Sequence, residues 1–478
     1  MHQERNHNSI INVFLKKLIM KRKLLFTLLL VFNMGFVFTS NLMAQMVLEF
    51  NTNLSWGTTV TLPLYGTVNV TVDWGDGNSE SFVTIGDKSH TYTAEGVYTV
   101  SISGALTQFG SGDQYNNAKK LVKVTSFGNL GLTSLNGAFD MASNLVEVPT
   151  ILPATITNLS SSFQSTGQTS ITGLDSWDVS NVENMYFMFC AADIFNQDIS
   201  SWDVSNVTNM KGMFYSAHAF NQPLNSWDVS KVTNMVNMFN SAYTFNQPLN
   251  SWDVSSVLYM SDMFQLAKAF NQPLNDWDVS NVRYMILMFS GTNSFNQPLN
   301  DWDVSRVRDM WGMFSGAVAF NQPLNDWDVS RVRDMLWMFE DAIVFNQPLN
   351  NWDVHHVKSM WGMFDGALSF DQPLNDWDVS NVKFMNNMFH DVTLSTANYS
   401  SLLISWATLD LYDGVSFDGG LSKYNPGAAE DARTAIIADH SWTITDAGLE
   451  IPPVPLSNWS IIFAILLIGT VIWFRWFK

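Results

Sequence analysis

Cysteine occurs once in the 478 residues, at Cys190. No disulfide within the chain can staple the fold, so stability must come from packing. The lone Cys reads as a small buried apolar side chain. Basic residues are scarce as well: 24 against 43 acidic ones, a formal charge of −19. The deficit deepens in the middle. The first 44 residues hold six bases (Arg5, Lys16, Lys17, Lys21, Arg22, Lys23) and one acid, Glu4, while 451–478 hold two bases and no acid. Between them, 42 acids face 16 bases, a charge of −26. Such a body repels a polyanionic backbone, which argues against nucleic acid as a partner and leaves cations, basic peptides and neutral glycans. Catalytic signatures are missing too. The eight His residues form no H-E-x-x-H pattern, and there is no P-loop, no G-x-S-x-G and no Cys/His ligand cluster. Neither a catalytic residue nor a cofactor site is expected.

The two ends read as addresses. Lys21, Arg22 and Lys23 precede an apolar run from Leu24 to Phe38, and Ala44 offers a small residue for cleavage, the pattern of a signal peptide over 1–44 with a possible start at Met20. Residues 449–478 run through Pro455-Leu456-Ser457-Asn458-Trp459 into an apolar stretch that ends on Trp473, Arg475, Trp476 and Lys478. With its flanks the stretch approaches the ~20 residues of a membrane span. This tail resembles the C-terminal sorting signals read by exosortase-like enzymes, a resemblance that implies export and processing of the tail.

Residues 45–105 alternate apolar and polar positions (Val47, Phe50, Val60, Leu62, Val68, Val70, Val72, Trp74), the period of half-buried strands. Gly75-Asp76-Gly77 supplies a tight turn. Val72-Asp73-Trp74-Gly75-Asp76-Gly77 together with His90, Tyr92, Gly96, Tyr98 and Val100 resembles a PKD-type module, which implies a small all-β, sandwich-like domain serving as a spacer or contact unit. Asp73 and Asp76 either shape the turn or bind Ca²⁺.

Trp-Asp-Val then recurs nine times, always 25 residues apart, at Trp177, Trp202, Trp227, Trp252, Trp277, Trp302, Trp327, Trp352 and Trp377. A repeat this regular is a stacking unit that cannot bury its apolar faces alone. Leu224, Trp227 and Val229 fit a short strand. Val232, Met235, Met238, Phe239 and Ala242, spaced three or four apart, predict a short helix. The expected fold is therefore a repeat solenoid, leucine-rich-repeat-like, with a short parallel strand and a short helix in each 25-residue coil. Its bounds are 106–175 for a linker and degenerate leading repeats, 176–395 for the nine repeats, and 396–448 for a C-terminal cap with Leu402, Leu403, Ile404, Trp406, Trp442 and Ile444 in its core. Phe220-Asn221-Gln222-Pro223-Leu224-Asn225 followed by Trp227-Asp228-Val229 closely resembles the repeats of BspA-like surface proteins. That resemblance implies an extracellular, non-enzymatic adhesion or interaction role toward protein or glycan partners. A structural envelope role is the alternative.

Within the repeats the Trp, Val, Met and Phe columns read as core. Asn196, Asn221, Asn246, Asn271, Asn296, Asn321 and Asn346, with Asp371 eighth, read as a buried ladder that satisfies neighbouring backbone. Asp178, Asp203, Asp228, Asp253, Asp278, Asp303, Asp328, Asp353 and Asp378 form an acidic column about 5 Å apart. Their charge is offset either by local hydrogen bonds or by Ca²⁺. Arg283, Arg306, Arg308, Arg331, Arg333, Lys358 and Lys383 either neutralise these acids or mark a ligand patch. His355-His356 reads as a solvated turn.

Overall fold

The structure, a computed structural model, describes residues 45–112 and 115–451. The expected signal peptide and C-terminal sorting segment lie outside those residues. No helix among the described residues is long and apolar enough to cross a membrane.

The alternation after residue 45 produces strands as expected. They are β1 (Met46–Asn51), β2 (Thr59–Asp73), β3 (Ser79–Phe82), β4 (Gly86–Thr91), β5 (Val97–Phe109) and β6 (Leu121–Phe127). All pair antiparallel in one six-stranded sheet ordered β3-β2-β5-β1-β6, with β4 on the first half of β2. The 15-residue β2 pairs with β4 over Thr59–Leu64 and with β3 over Val70–Asp73, while β5 runs along it from Leu64 to Asp73 with a register shift between Tyr65 and Val68. Two sequence expectations change here. The described strands form one hydrogen-bonded sheet rather than a sandwich of two, and 121–127 is an edge strand on β1 rather than linker.

The sheet is also the first rung of the repeats. Gln108 of β5 bridges in parallel to Ser134, and the ladder continues through Asn158, Asn184, Asn209, Asn234, Tyr259, Tyr284, Asp309, Asp334, Ser359 and Phe384. A repeat protein must cover its first apolar coil, and β5 does so, with Phe109 packed on Phe139 and Phe139 on Phe163. At the far end Met385 bridges to β7 (Ser416–Asp418), which pairs with β8 (Thr443–Thr445). Two helices, α1 (Thr396–Trp406) and α2 (Ala428–His440), complete the cap. Leu402, Leu403, Trp406, Phe417 and Trp442 are buried there, whereas Ile404, expected in the core, is exposed and Ile444 half-buried.

Inside the coils the expected helix is absent. Each 25-residue unit contains one bridge and a series of turns. The bridge falls on the residue before the first Met, not on the Leu-x-x-Trp-x-Val segment. The physical reason lies in the backbone. Gly212 (φ 62°) and Ser216 (φ 55°) are left-handed, as are Asn237 and Ser241 in the next coil and Gly362 and Gly366 further on. A left-handed residue every fourth position breaks an α-helix and turns alternate amides toward the neighbouring coil. Met210, Gly212, Phe214 and Ser216 accordingly donate to the carbonyls of Asn234, Val236, Met238 and Asn240 at 2.7–3.1 Å. The intervening amides of Met213, Tyr215 and Ala217 close three-residue turns on Met210, Gly212 and Phe214. The apolar spacing of three and four is still honoured, because those turns keep Met210, Met213, Phe214 and Ala217 inside.

The core is a set of ring columns. Trp252 stacks on Trp277 at 6.3 Å with 3° between planes, and Phe239 on Phe264 at 5.6 Å. Each buried Val, Phe or Met contributes about 1.5–3 kcal/mol of burial, so the stack gains most of its stability from repetition.

Candidate functional site

Two surface hollows bear on function, one apolar beside β6 and one lined by Arg308, Ser330, Arg331, Arg333 and His356. A hollow of about 770 Å³ beside β6 is lined by Phe127, Pro149, Ile151, Pro153 and neighbours, with no titratable side chain. No three His, Cys, Asp or Glu side chains converge as a metal site among the described residues. The candidate functional surface is instead the set of columns that the coils carry outward.

The nine Trp residues are buried, and each indole Nε1 donates to a carbonyl of the preceding coil at 2.8–3.3 Å, such as Trp252 to Leu224. They lock neighbouring coils together and are not available to a ligand. The Asn column works between coils as well. Each carboxamide oxygen accepts the next coil's Asn amide, as Asn271 does from Asn296 at 3.0 Å, and the Gln side chain beside it. The Asn residues from Asn246 to Asn346 are half-buried rather than buried. Asp371 ends the column where α1 begins. Its carboxylate accepts the Ser395 amide and the Asn398 side chain, so the switch from Asn to Asp suits a helix N-terminus.

All nine Asp residues of the acidic column make one recurring bond. The carboxylate accepts the amide two residues on, at 3.0–3.1 Å, from Ser180 through Ser380 with His355 in the eighth coil. Bonds from the Ser hydroxyl and amide hold Asp178, Asp228 and Asp303 below the usual carboxylate range. The outer Asp residues Asp301, Asp326 and Asp376 take the side-chain amides of Asn275, Asn300 and Asn350. The turn acids behave alike: Asp73 accepts Gly75, and Asp76 accepts Asn78 and meets His90 Nε2 at 2.8 Å. The bond from His90 is the main reason Asp76 lies low. His355 and His356 are exposed, with His355 2.9 Å from Asp378. Burial pushes the half-buried Cys190 thiol up to about 11, so it holds its proton at neutral pH and is a weak nucleophile.

Several residues that sequence reasoning passed over matter here. Asp140 is buried with one oxygen unpartnered, and burial raises it to about 6. Lys120 is buried with its amine on the Trp56 carbonyl and the Asn117 side chain. Burial also raises Asp262, Asp309 and Glu340. The left-handed position had a partial sequence signal: Gly212, Asn237, Asp262, Gly312, Gly362 and Asn387 share one coil position and tolerate positive φ, whereas Phe187, Leu287 and Trp337 are left-handed at the same position without that signal.

Fold and surface together define a repeat protein: stacked units of about 25 residues behind a small N-terminal β-domain, with regular columns in place of a cleft. The sequence profile described as "Mycoplasma protein of unknown function, DUF285" matches residues 157–264, 223–318, 247–342 and 297–406, overlapping windows that span more than half the chain. The protein belongs to that family. Comparison with curated proteins and with solved structures gave no significant match.

Proposed function

We propose that this is an exported bacterial surface protein of the BspA-like type, whose leucine-rich-like solenoid binds an extracellular protein or glycan without catalysing a reaction. The PKD-like sheet serves as a spacer at one end of the array. The signal peptide carries the chain out, and the tail anchors it or is processed on the way. One observation carries the binding reading: every coil sets its polar side chains at the same positions, one step apart, along an uninterrupted surface. Such a surface suits avidity for an extended partner, because each coil adds one more copy of the same weak contact. The absence of unique polar convergence in the hollow beside β6 fits a contact surface better than an active site.

The test is a binding screen of the full-length chain against immobilised extracellular-matrix proteins and a glycan array. Saturable binding to at least one partner, lost on thermal unfolding, is expected. The alternative reading, an envelope protein that spaces or self-associates, predicts no partner in the screen and concentration-dependent assembly by sedimentation velocity instead.

A further inference from the structure

Arg283, Arg308, Arg333, Lys358 and Lys383 hold one coil position through five successive coils. From Arg308 on, each amide bonds to the carbonyl of its predecessor at 2.9–3.0 Å. Two positions earlier, across buried Val307, Val332 and Val357, stand Arg306, Arg331 and His356. All eight except Arg283 are exposed, and Arg308, Ser330, Arg331, Arg333 and His356 line one open depression of about 500 Å³. The sequence reading groups the seven Arg and Lys residues as neutralising the acids or marking a ligand patch and takes His356 for a solvated turn, and the coils set all eight in two parallel columns.

Arg306 adds a little through space to the lowering of Asp303, behind the Ser305 bonds. None of the eight takes part in an ion pair among the described residues. Arg306 reaches only the Asn281 side chain, Lys358 that of Asn381, and Lys383 lies 4.7 Å from the Tyr412 ring centre. Each nearby carboxylate has one oxygen engaged by a backbone amide. Asp303 and Asp328 accept Ser amides on one flank, and Asp309 and Asp334 accept the amides of Trp311 and Leu336 on the other. The molecule therefore carries a narrow stripe of Arg and Lys side chains without ion pairs among the described residues, bordered by acids, in a chain whose formal charge is −19.

We propose that this stripe binds an acidic polysaccharide laid across the coils, with one anionic sugar facing each coil. The proposal rests on the surface-binding reading and names its partner class. Three features select that class. The cations recur at the coil step, about 4.8 Å if coils keep strand spacing, which is close to the length of one sugar unit. The acidic borders admit a single thin chain and repel a broad polyanion such as duplex nucleic acid or a lipid surface. The immediate flanks offer hydroxyls and carboxylates (Ser305, Ser330, Asp303, Asp328), which pair with sugar hydroxyls, in place of a continuous aromatic row for stacking bases. At physiological salt the Debye length is about 8 Å, so the stripe and not the net charge sets the local attraction.

The experiment measures binding of the full-length chain to polygalacturonate, with dextran, single-stranded DNA and anionic lipid vesicles as separate arms. Wild-type protein should bind polygalacturonate saturably and more weakly as salt rises, and should bind dextran, DNA and vesicles at least tenfold more weakly. The quadruple variant Arg306→Gln, Arg308→Gln, Arg331→Gln, Arg333→Gln should lose at least tenfold in affinity with an unchanged melting temperature. Lys211→Gln with Lys268→Gln, at other coil positions, should bind as wild type. No binding to polygalacturonate, equal binding to DNA or vesicles, or full binding by the quadruple variant would overturn the proposal. A partner from the matrix and glycan screen that the quadruple variant still holds would leave the surface-binding reading standing while this one falls.

Discussion

At the scale of single residues, two positions show how the coil is held. Gly362 has φ 57°, and a Cβ there would sit 2.6 Å from the Trp337 ring. The pairing recurs: Gly212 lies under Phe187, and Gly312 under Leu287. A large side chain on one coil thus fills the space that glycine leaves on the next. Gly362→Ala should cost about 1–2 kcal/mol for the left-handed backbone alone, with more for moving Trp337. Urea denaturation should show this as a lowered midpoint at constant slope, and an unchanged midpoint would count against the close approach. Asp140 sets a pH signature. Its folded-state pKa, about 6, is raised by burial, so its contribution is fully present below the ordinary carboxylate range and is lost as pH rises through 6. Asp178, Asp228 and Asp303 are held low, so theirs is present above that range and is lost as pH falls below it. The melting temperature should climb from pH 7 to about 5 and drop below about 4. Asp140→Asn should raise the pH 7 value and flatten the climb. A wild-type profile that falls steadily from pH 7 downward would contradict the assignment.

At the scale of elements, the columns were more legible than the path that builds them. Within the nine repeats the 25-residue period picked out the core columns of Trp, Val, Met and Phe, because burial repeats with the coil. The helix was misread because spacings of three and four suit both an α-helix and a run of turns that contains left-handed residues. Gly212, Asn237 and Gly362 at one coil position were the available signal, and apolar periodicity does not report it. The base columns were also legible in the 25-residue spacing of Arg283, Arg308, Arg333, Lys358 and Lys383, and the structure adds that they are exposed from Arg308 on and make no ion pair among the described residues. The acidic column was legible in position, and its chemistry follows from the bond each carboxylate accepts from the amide two residues on. One oxygen of each carboxylate is already engaged, and no three acids converge among the described residues, so Ca²⁺ has little to gain by bridging them. Millimolar Ca²⁺ should raise the melting temperature no more than sodium chloride of equal ionic strength. A rise of many degrees, reversed by a chelator, would instead make the Asp column a cation site.

At the scale of the whole molecule, the repeats, the sheet and the cap form one ladder. It starts at Gln108 on β5 and reaches Phe384, and the next residue, Met385, bridges to Phe417. Each end is closed by an element that does not repeat, which leaves no apolar coil face open to self-association. Surface and structure therefore share one unit, the 25-residue coil, and any function of the columns depends on that unit being intact and in register. Deleting residues 252–276 removes one full period and should leave a soluble protein with a single melt a few degrees lower, because Trp277 would then take the place of Trp252, whose indole now donates to the Leu224 carbonyl. Deleting 252–263 removes about half a period and would set core columns against polar ones, so that protein should not melt cooperatively. Comparing the thermal unfolding of these two deletions tests the account most directly. If both fold equally well, or if the full-period deletion fails as badly as the half-period one, the coil is not the unit and the columns are not a surface.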